Sequence, residues 1–534
     1  MRTTRLYPRT FAVLQRRGAG IILAIFCILF LLGTSLAQRA QAQTVSNFYN
    51  FCSQVSMSGN CTDGANPEAG LIQGLSGDLY GTTRIGGAGG DHGLGTVFEI
   101  TTGGTPTTLY NFCTSVRFIT FPGGQLVPFC TDGAEPVGDL TQDQDGNLYG
   151  TTIFDGITTQ GGPGGGTVFK ITPAGTLAFS YVFGSQAGDG TNPWDGLVQG
   201  SDGNFYGTTS AGGASHGGTV FKITPGGVLS TIYSFSNDSN GGAPYAGLVL
   251  ASDGNFYGTT GYGGANGQGG TVFRITPSGT LTTLYSFCSQ VNVSGYCTDG
   301  AYPDRRLVQA SDGNFYGTTG GGGANDDGTL FKITPGGTLT TLYSFSGGAD
   351  GGSPYTTLLQ VIDGNLYGTT QNGGANNDGT VFRVTLSGTL TTLYSFCSQT
   401  DCADGSDPEA GLTEAADGTL FGTTFGGGTG SNSNSGFPGT IFKLTTPQLA
   451  TQAIVNQVNG LMAQGVINKG QDNSLVTKLQ HAIAMINAGK IKGAIGKLEG
   501  FIGEINALEN SGRLTGARAS ALTSAANGVI AQLL

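Results

Sequence analysis

Between residues 44 and 446 apolar residues fall in short runs of three to six, separated by turns of Gly, Asn, Asp and Pro, and the same order of runs keeps returning. One phrase, close to Asp-Gly-Asn-Leu/Phe-Tyr-Gly-Thr-Thr, occurs seven times. Its aromatic residue lies at Tyr80, Tyr149, Tyr206, Tyr257, Tyr316, Tyr367 and Phe421, at spacings of 51 to 69 residues. Short β-branched and aromatic runs bounded by turn residues read as strands, and self-similarity at such a period reads as a repeat architecture.

The fifth copy shows the unit. Leu307-Val308-Gln309 is a short strand, Ser311-Asp312-Gly313-Asn314 a hairpin turn, and Phe315 to Thr319 a second strand. A Gly-rich loop leads to Thr329-Leu330-Phe331-Lys332-Ile333, a Thr-Pro-Gly-Gly turn follows, and Thr340 to Phe345 makes a fourth strand. Four antiparallel strands of this kind form one propeller blade, so seven copies predict an all-β seven-bladed β-propeller. The last copy stops after its third strand at Ile441-Phe442-Lys443-Leu444, whereas Asn47-Phe48-Tyr49-Asn50-Phe51 reads as an orphan fourth strand at the other end. A ring closed by pairing the two in one blade removes the sheet edges that an open array would present. The loops after strands two and four then share one rim, and these are the long, variable loops expected to carry function.

The ends differ from the repeat. Residues 1–42 hold six arginines, no acid and an apolar run over 21–32, which reads as a secretory signal peptide with Ala40-Gln41-Ala42 as the cleavage site and Gln43 as the mature start. The apolar run is short for a membrane span. Residues 43–446 form the propeller. After Thr446-Pro447 apolar residues recur at helical spacing in 449–466, 475–486, 491–508 and 517–533, with Gly470, Gly489 and Gly512 as stops, so 447–534 is expected to be a bundle of about four helices. That bundle has one histidine, His481, and no Glu-x-x-His motif, which favours a structural or docking role.

Composition narrows the partners. Without the six leader arginines the chain has 17 Lys+Arg against 34 Asp+Glu, a net charge of −17, and residues 43–446 alone carry 10 basic and 30 acidic residues. Nucleic acid, which needs a basic stripe, is excluded as a partner. Eight cysteines remain in four local pairs, Cys52/Cys61, Cys113/Cys130, Cys288/Cys297 and Cys397/Cys402, and each second cysteine precedes Thr or Ala and then Asp-Gly. In an exported chain such pairs read as disulfides; they lack the spacing and the nearby histidines of a metal site.

Candidate chemistry is sparse. The blade-to-blade loop reads Asp/Asn-Gly-x-x-Pro-x-x-x-Leu seven times, starting at Asp63, Asp132, Asp189, Asn240, Asp299, Asp350 and Asp404. Asp at this place serves turn geometry, and the competing reading is an acidic rim that binds calcium or a cationic ligand. His92 and His216, the only propeller histidines, lie in Gly-rich loops and read as exposed loop residues; Asp326 and Asp327 read as solvated turn residues. Trp194 and its equivalents Tyr245 and Tyr355 read as packing between blades or as an aromatic rim for sugars. No residue is assigned to catalysis, and no cofactor beyond calcium is indicated.

The unit Asp-Gly-Asn-Phe-Tyr-Gly-Thr-Thr, followed by Gly-Gly-Thr-Val-Phe-Lys/Arg-Ile-Thr-Pro and Gly-Thr-Leu-Thr-Thr-Leu-Tyr-Ser-Phe, resembles the GloVer tandem-repeat, or choice-of-anchor, proteins over about residues 44–446. The tail, with Ala494-Ile495-Gly496-Lys497-Leu498 and Phe501-Ile502, is similar to the FIMAH helical module. The resemblance implies an exported bacterial protein and brings no catalytic residue. The sequence thus leads to the expectation of a secreted or surface-bound monomer that binds a glycan or a surface protein without catalysis. A polysaccharide lyase or glycosidase using carboxylates in the propeller funnel is the alternative.

Overall fold

The structure is a computed structural model that describes residues 44–534 except 58, 89–92, 121–125, 157–163, 268 and 431–437. The signal-peptide expectation and His92 therefore lie outside the described residues. Two compact units appear, Thr44–Thr445 and the helices from Thr446 to Leu534.

The first unit is a seven-bladed propeller. Each blade is a four-stranded antiparallel sheet, in the fifth blade Val308–Gln309, Phe315–Thr319, Thr329–Ile333 and Leu339–Ser344. The ring closes as the orphan strand requires: Thr44–Asn50 pairs antiparallel with Thr440–Thr445, Thr44 facing Thr445 and Asn50 facing Thr440, and completes the sheet of Thr413–Glu414 and Leu420–Thr424.

Every residue of the repeated phrase has a place in this packing. The Gly of Gly-Thr-Thr lies under the strand-three Phe of its own blade: a Cβ on Gly81, Gly150, Gly207, Gly258, Gly317, Gly368 or Gly422 would sit 2.4–2.8 Å from that ring. The ring so seated meets the Phe that ends strand four of the preceding blade. Phe51–Phe98, Phe112–Phe169, Phe183–Phe221, Phe235–Phe273, Phe287–Phe331, Phe345–Phe382 and Phe396–Phe442 have centroids 5.0–5.4 Å apart, one pair at each of the seven seams. Tilted and edge-on pairs at this distance are favourable beyond the area they bury.

The threonines hold the backbone. The second Thr of each phrase shares a buried hydroxyl hydrogen bond of 2.8–2.9 Å with the Thr that opens strand three. The first Thr donates across the seam to a main-chain carbonyl of the next blade in six blades, as Thr208 does to Ala246 at 2.8 Å and Thr423 to Ala69 at 3.0 Å. In the first blade the equivalent Thr82 hydroxyl is buried without a partner. On the tight-turn rim Asp202 accepts from Asn204, Tyr206 and Lys222 at 2.7–2.9 Å, and Asp312 accepts from Asn314, Tyr316 and Lys332 at 2.9 Å. Partial burial pushes these carboxyls up, but the ammonium and the amide donors outweigh it and hold both well below the usual carboxylate range.

The cysteines join as Cys52–Cys61, Cys113–Cys130, Cys288–Cys297 and Cys397–Cys402, all in loops that follow fourth strands.

The second unit has four helices, α1 (Pro447–Ala463), α2 (Lys469–Asn487), α3 (Ile491–Asn510) and α4 (Gly516–Leu533). Consecutive helices pack together and α4 returns to α1, around Val458, Leu475, Leu479, Leu498, Phe501, Ile505, Leu522 and Val529. Gly489 and Gly512 end helices in the left-handed conformation as expected, with φ of 67° and 70°. Gly470 does not. It is the second residue of α2, whose start is fixed by a capping box between Asn468 and Gln471, and the stop after α1 is Gly465, with φ of 71°.

Removing residues 43–51 should expose the edge of the seventh blade and delete the Phe51–Phe98 contact, giving aggregation or loss of cooperative melting. Phe51→Ala alone should cost ~3–5 kcal/mol in chemical denaturation. A deletion variant that melts with the parent would contradict ring closure.

Candidate functional site

The seven-fold loop motif shows where chemistry is absent and where it gathers. The recurring aspartates are turned inward. Asp63, Asp132, Asp189, Asp299 and Asp404 are 2–8% exposed, and Asp350 is half-buried. Each accepts the hydroxyl of the strand-four tyrosine before it, from Tyr49, Tyr110, Tyr181, Tyr285, Tyr343 and Tyr394, at 2.6–3.0 Å. Each also accepts main-chain N–H groups of its own loop, as Asp299 does from Ser289 and Gln290 and Asp404 from Ser398 and Gln399. Burial and the carboxylate beside it push the Tyr285 hydroxyl up to about 12, with Ser289 opposing. In the odd copy Asn240 is held instead by Asp238, which accepts its N–H at 2.8 Å.

The chain itself thus uses the carboxylate oxygens. Among the described residues the metal-capable side chains that come within 4.8 Å as a group of three are Asp378, Cys397 and Cys402, and both sulfurs are in a disulfide. His216 is exposed in its Gly-rich loop.

Three residues further on the motif does something else. The residue before the proline, Asn66, Glu135, Asn192, Ala243, Tyr302, Ser353 or Asp407, is left-handed in all seven copies, with φ of 48–61°. For a side chain other than Gly this costs on the order of 1–3 kcal/mol and persists only where the surroundings impose it. They do so by a clamp repeated in every blade. The N–H of Asn192 donates to Gly165 of the preceding blade at 2.6 Å, while its C=O accepts from Ser210 after its own second strand at 3.0 Å; Tyr302 does the same with Gly269 and Gly320.

The clamp holds the start of the three residues after each proline, and these differ from blade to blade: Glu68, Val137, Trp194, Tyr245, Asp304, Tyr355 and Glu409 come first after the proline. A chain of edge-on contacts runs Trp194–Tyr245–Tyr262–Tyr302 at 6.0, 6.2 and 5.8 Å across blades three to five. Tyr262 and Tyr302 are each 40% exposed. The Arg305 guanidinium of the fifth blade lies 5.6 Å over the Tyr355 ring of the sixth. The first and second blades add Arg84, which bridges Glu68 at 3.2 Å and Glu135 at 2.8 Å. In the seventh, Glu409 accepts the Gln371 amide at 2.7 Å and lies in Coulomb range of Glu68, Arg305 and Arg84. Burial, then Glu68, pushes Glu409 up to about 7; burial pushes Asp304 up to about 6, with Arg305 opposing.

A second layer of charge comes from the next two positions. Arg306 of blade five pairs with Asp195 of blade three at 2.7 Å and lies in Coulomb range of Asp139 of blade two. Asp139 takes the Gly70 N–H of blade one at 2.8 Å, and Asp195 the Gly247 N–H of blade four at 2.7 Å. Glycine at the third position makes this possible, since a Cβ on Gly247 would sit 2.6 Å from the Arg306 guanidinium. Burial and Asp195 push Asp139 up, and Arg306 offsets them. Arg306 and Asp195 thus join blades three, four and five, and Asp139 joins blades one and two.

The sequence singled out Trp194, Tyr245 and Tyr355 among these residues. It missed Arg84, Glu68, Asp304, Arg305, Arg306 and Glu409. The signal that could have found them is divergence within an otherwise repeated phrase.

Asp299→Ala should destabilise the propeller by ~1–3 kcal/mol, because it removes the acceptor of the Ser289 and Gln290 main-chain N–H groups and of the Tyr285 and Ser289 hydroxyls. The loss should be the same in calcium and in chelator; a loss seen only with calcium would return the acidic rim to metal binding. Glu409 gives a pH test. Its folded pKa lies above that of the unfolded chain, so its ionisation subtracts stability as pH rises from about 4 through about 7. Glu409→Gln should therefore raise Tm at about pH 8 and leave it nearly unchanged at about pH 4. A shift that is equal at both would contradict the burial argument.

No curated protein matches this chain. Solved structures that it resembles include the PQQ-bound aldose sugar dehydrogenase of Streptomyces coelicolor (14% identity, 76% of this chain, 98% of that chain, TM-score 0.36). Others are the BP39L lectin of Burkholderia pseudomallei (8%, 67%, 92%, TM-score 0.41) and a polysaccharide lyase, ulvan lyase (11%, 72%, 94%, TM-score 0.39). At these scores the likeness carries no argument about activity. The FIMAH domain model matches residues 451–531. The Gloeobacter/Verrucomicrobia repeat model matches residues 128–298 and 289–477, more than half of the chain, and this protein belongs to that repeat family.

Proposed function

We propose that this protein is an exported, non-enzymatic glycan-binding propeller whose binding site is the mouth formed by the residues after the seven prolines. One observation carries the reading. Blades that agree almost word for word diverge where they converge, and there they supply an aromatic strip beside carboxylates and guanidinium groups. Sugar rings offer apolar faces that pack on aromatic rings and hydroxyls that bond to fixed polar groups, which is the chemistry of this mouth. Export is supported by the charged and apolar residues 1–42 and by four disulfides, bonds that persist in oxidising compartments. Among the described residues no helix is long and apolar enough to cross a membrane.

The polysaccharide-active alternative has one observation in its favour. Glu409, held near neutrality as a carboxylic acid with Glu68 in Coulomb range, has the makings of a general acid. A glycan array on the whole chain, run beside reducing-sugar and unsaturated-uronate assays, separates the two, since turnover of any bound glycan would replace the binding reading by the enzymatic one. For the tightest-binding glycan, Trp194→Ala and Tyr262→Ala should each weaken affinity by about tenfold or more, the effect of losing an aromatic anchor, with a small change in Tm. Unchanged affinity in both variants would place binding elsewhere.

A further inference from the structure

We infer that three disulfide-clamped hairpins on the rim of long loops insert apolar side chains into a zwitterionic lipid surface. The inference does not depend on the glycan reading.

Three of the four disulfides close the same local structure. In the loops that follow the fourth strands of blades seven, one and four, the valine three residues after the first cysteine pairs antiparallel with the second cysteine: Val55 with Cys61, Val116 with Cys130 and Val291 with Cys297. The base of each hairpin is tied to the ring by the recurring aspartate, since Asp63 accepts the Ser53 N–H at 3.0 Å, Asp132 the Cys113 N–H at 3.1 Å and Asp299 the Ser289 N–H at 2.9 Å. Thr62, Thr131 and Thr298 close the same bases by donating their N–H groups to Gln54, Ser115 and Gln290 at 2.8–3.1 Å. A hairpin fixed in this way cannot fold its side chains back onto the propeller.

What the clamps hold in water is apolar. Met57 and Val293, at the same position of two hairpins, are fully exposed; Val55, Phe118 and Val291 are more than half exposed, and Tyr296 is exposed. A single exposed apolar residue is ordinary on any surface, but here exposure goes with the clamp. The unclamped loops at the same place in other blades, 184–188, 236–239 and 346–349, hold nothing apolar larger than alanine, and the fourth disulfide encloses Ser398-Gln399-Thr400-Asp401. Between the cysteines of the three hairpins there is no acid and one base, Arg117, in a propeller with 30 acidic and 10 basic residues.

Placement and charge select the occupant. The hairpins of blades seven and one are neighbours, whereas that of blade four stands across the ring, with blades two and three between them on one side and five and six on the other. A compact partner seated on one patch would leave at least one tip in water, and a broad surface with an apolar interior takes all three. Aliphatic and aromatic side chains that enter a bilayer, with a basic residue beside them and no carboxylate to desolvate, are the composition of these tips. The acidic remainder of the propeller opposes an anionic surface, which leaves zwitterionic lipid.

The test is flotation of the whole chain with phosphatidylcholine vesicles and with vesicles that are about half phosphatidylglycerol, at low salt. The chain should float with the former and less with the latter. Met57→Ser combined with Val293→Ser should lower partitioning by about tenfold or more and keep the native melting profile, since both side chains lie in solvent. Met57→Trp should show an emission shift to the blue on vesicles and quenching by brominated lipid, while Leu75→Trp, on the opposite rim, should show neither. No flotation with phosphatidylcholine, or equal flotation of the double variant, would overturn the inference. Stronger flotation with phosphatidylglycerol would assign binding to charge, and a dimer in sedimentation velocity that the double variant dissolves would assign the tips to a second copy of this chain; both overturn it.

Discussion

The ring depends on one contact made seven times, a strand-three phenylalanine seated over a glycine of its own blade and met by the phenylalanine that ends the previous blade. The glycine has no conformational role here; it is absence of a side chain that lets the ring lie flat enough to reach the seam. Short strands of five or six residues bury little area each, so a blade alone is marginal, and stability has to come from blade-to-blade packing. The Thr hydroxyl that crosses to the next blade's carbonyl adds direction to that packing, since it fixes the carbonyl beside which the mouth residues project.

This division of labour explains how the repeat can be nearly invariant and still build a site. The frame holds a left-handed residue in each loop by two main-chain hydrogen bonds, one to the preceding blade and one within its own. The strain is met by backbone groups that any side chain has, so the residue itself is free to be Asn, Glu, Ala, Tyr, Ser or Asp. Chemistry can therefore vary at the mouth without a change in the frame. Charge follows the same plan: the aspartates that recur are spent on tyrosine hydroxyls and loop amides, and the charges that occur once are the ones left facing the mouth.

Much of this was legible in the sequence, for physical reasons. The seven phrases gave strands, turns and blade number because turn chemistry and strand period are local. The orphan strand at Asn47–Phe51 implied closure because an unpaired edge is costly anywhere. The cysteine pairing was readable because each pair sits in one loop. The four helices were readable from their apolar stripes, but Gly470 was mistaken for a stop because glycine marks a helix end only where φ turns positive, and here that is Gly465. The aspartates looked like either turn residues or ligands until the Tyr285–Asp299 type of contact appeared, which joins a strand to a loop 14 residues on. Arg84, Arg305, Arg306 and Glu409 could not be paired from sequence at all, since Arg306 and Asp195 lie 111 residues apart and meet only because the ring closes.

The most direct test of a fixed frame with its chemistry confined to the mouth is backbone hydrogen exchange with and without the tightest-binding glycan. Protection should rise in the segments that begin at the seven prolines, at 67–71, 136–140, 193–197, 244–248, 303–307, 354–358 and 408–412, while the strand-two and strand-three amides, already closed by the seams, stay unchanged. Protection that rises instead in the disulfide loops or in the helices from Pro447 to Leu533 would contradict the account.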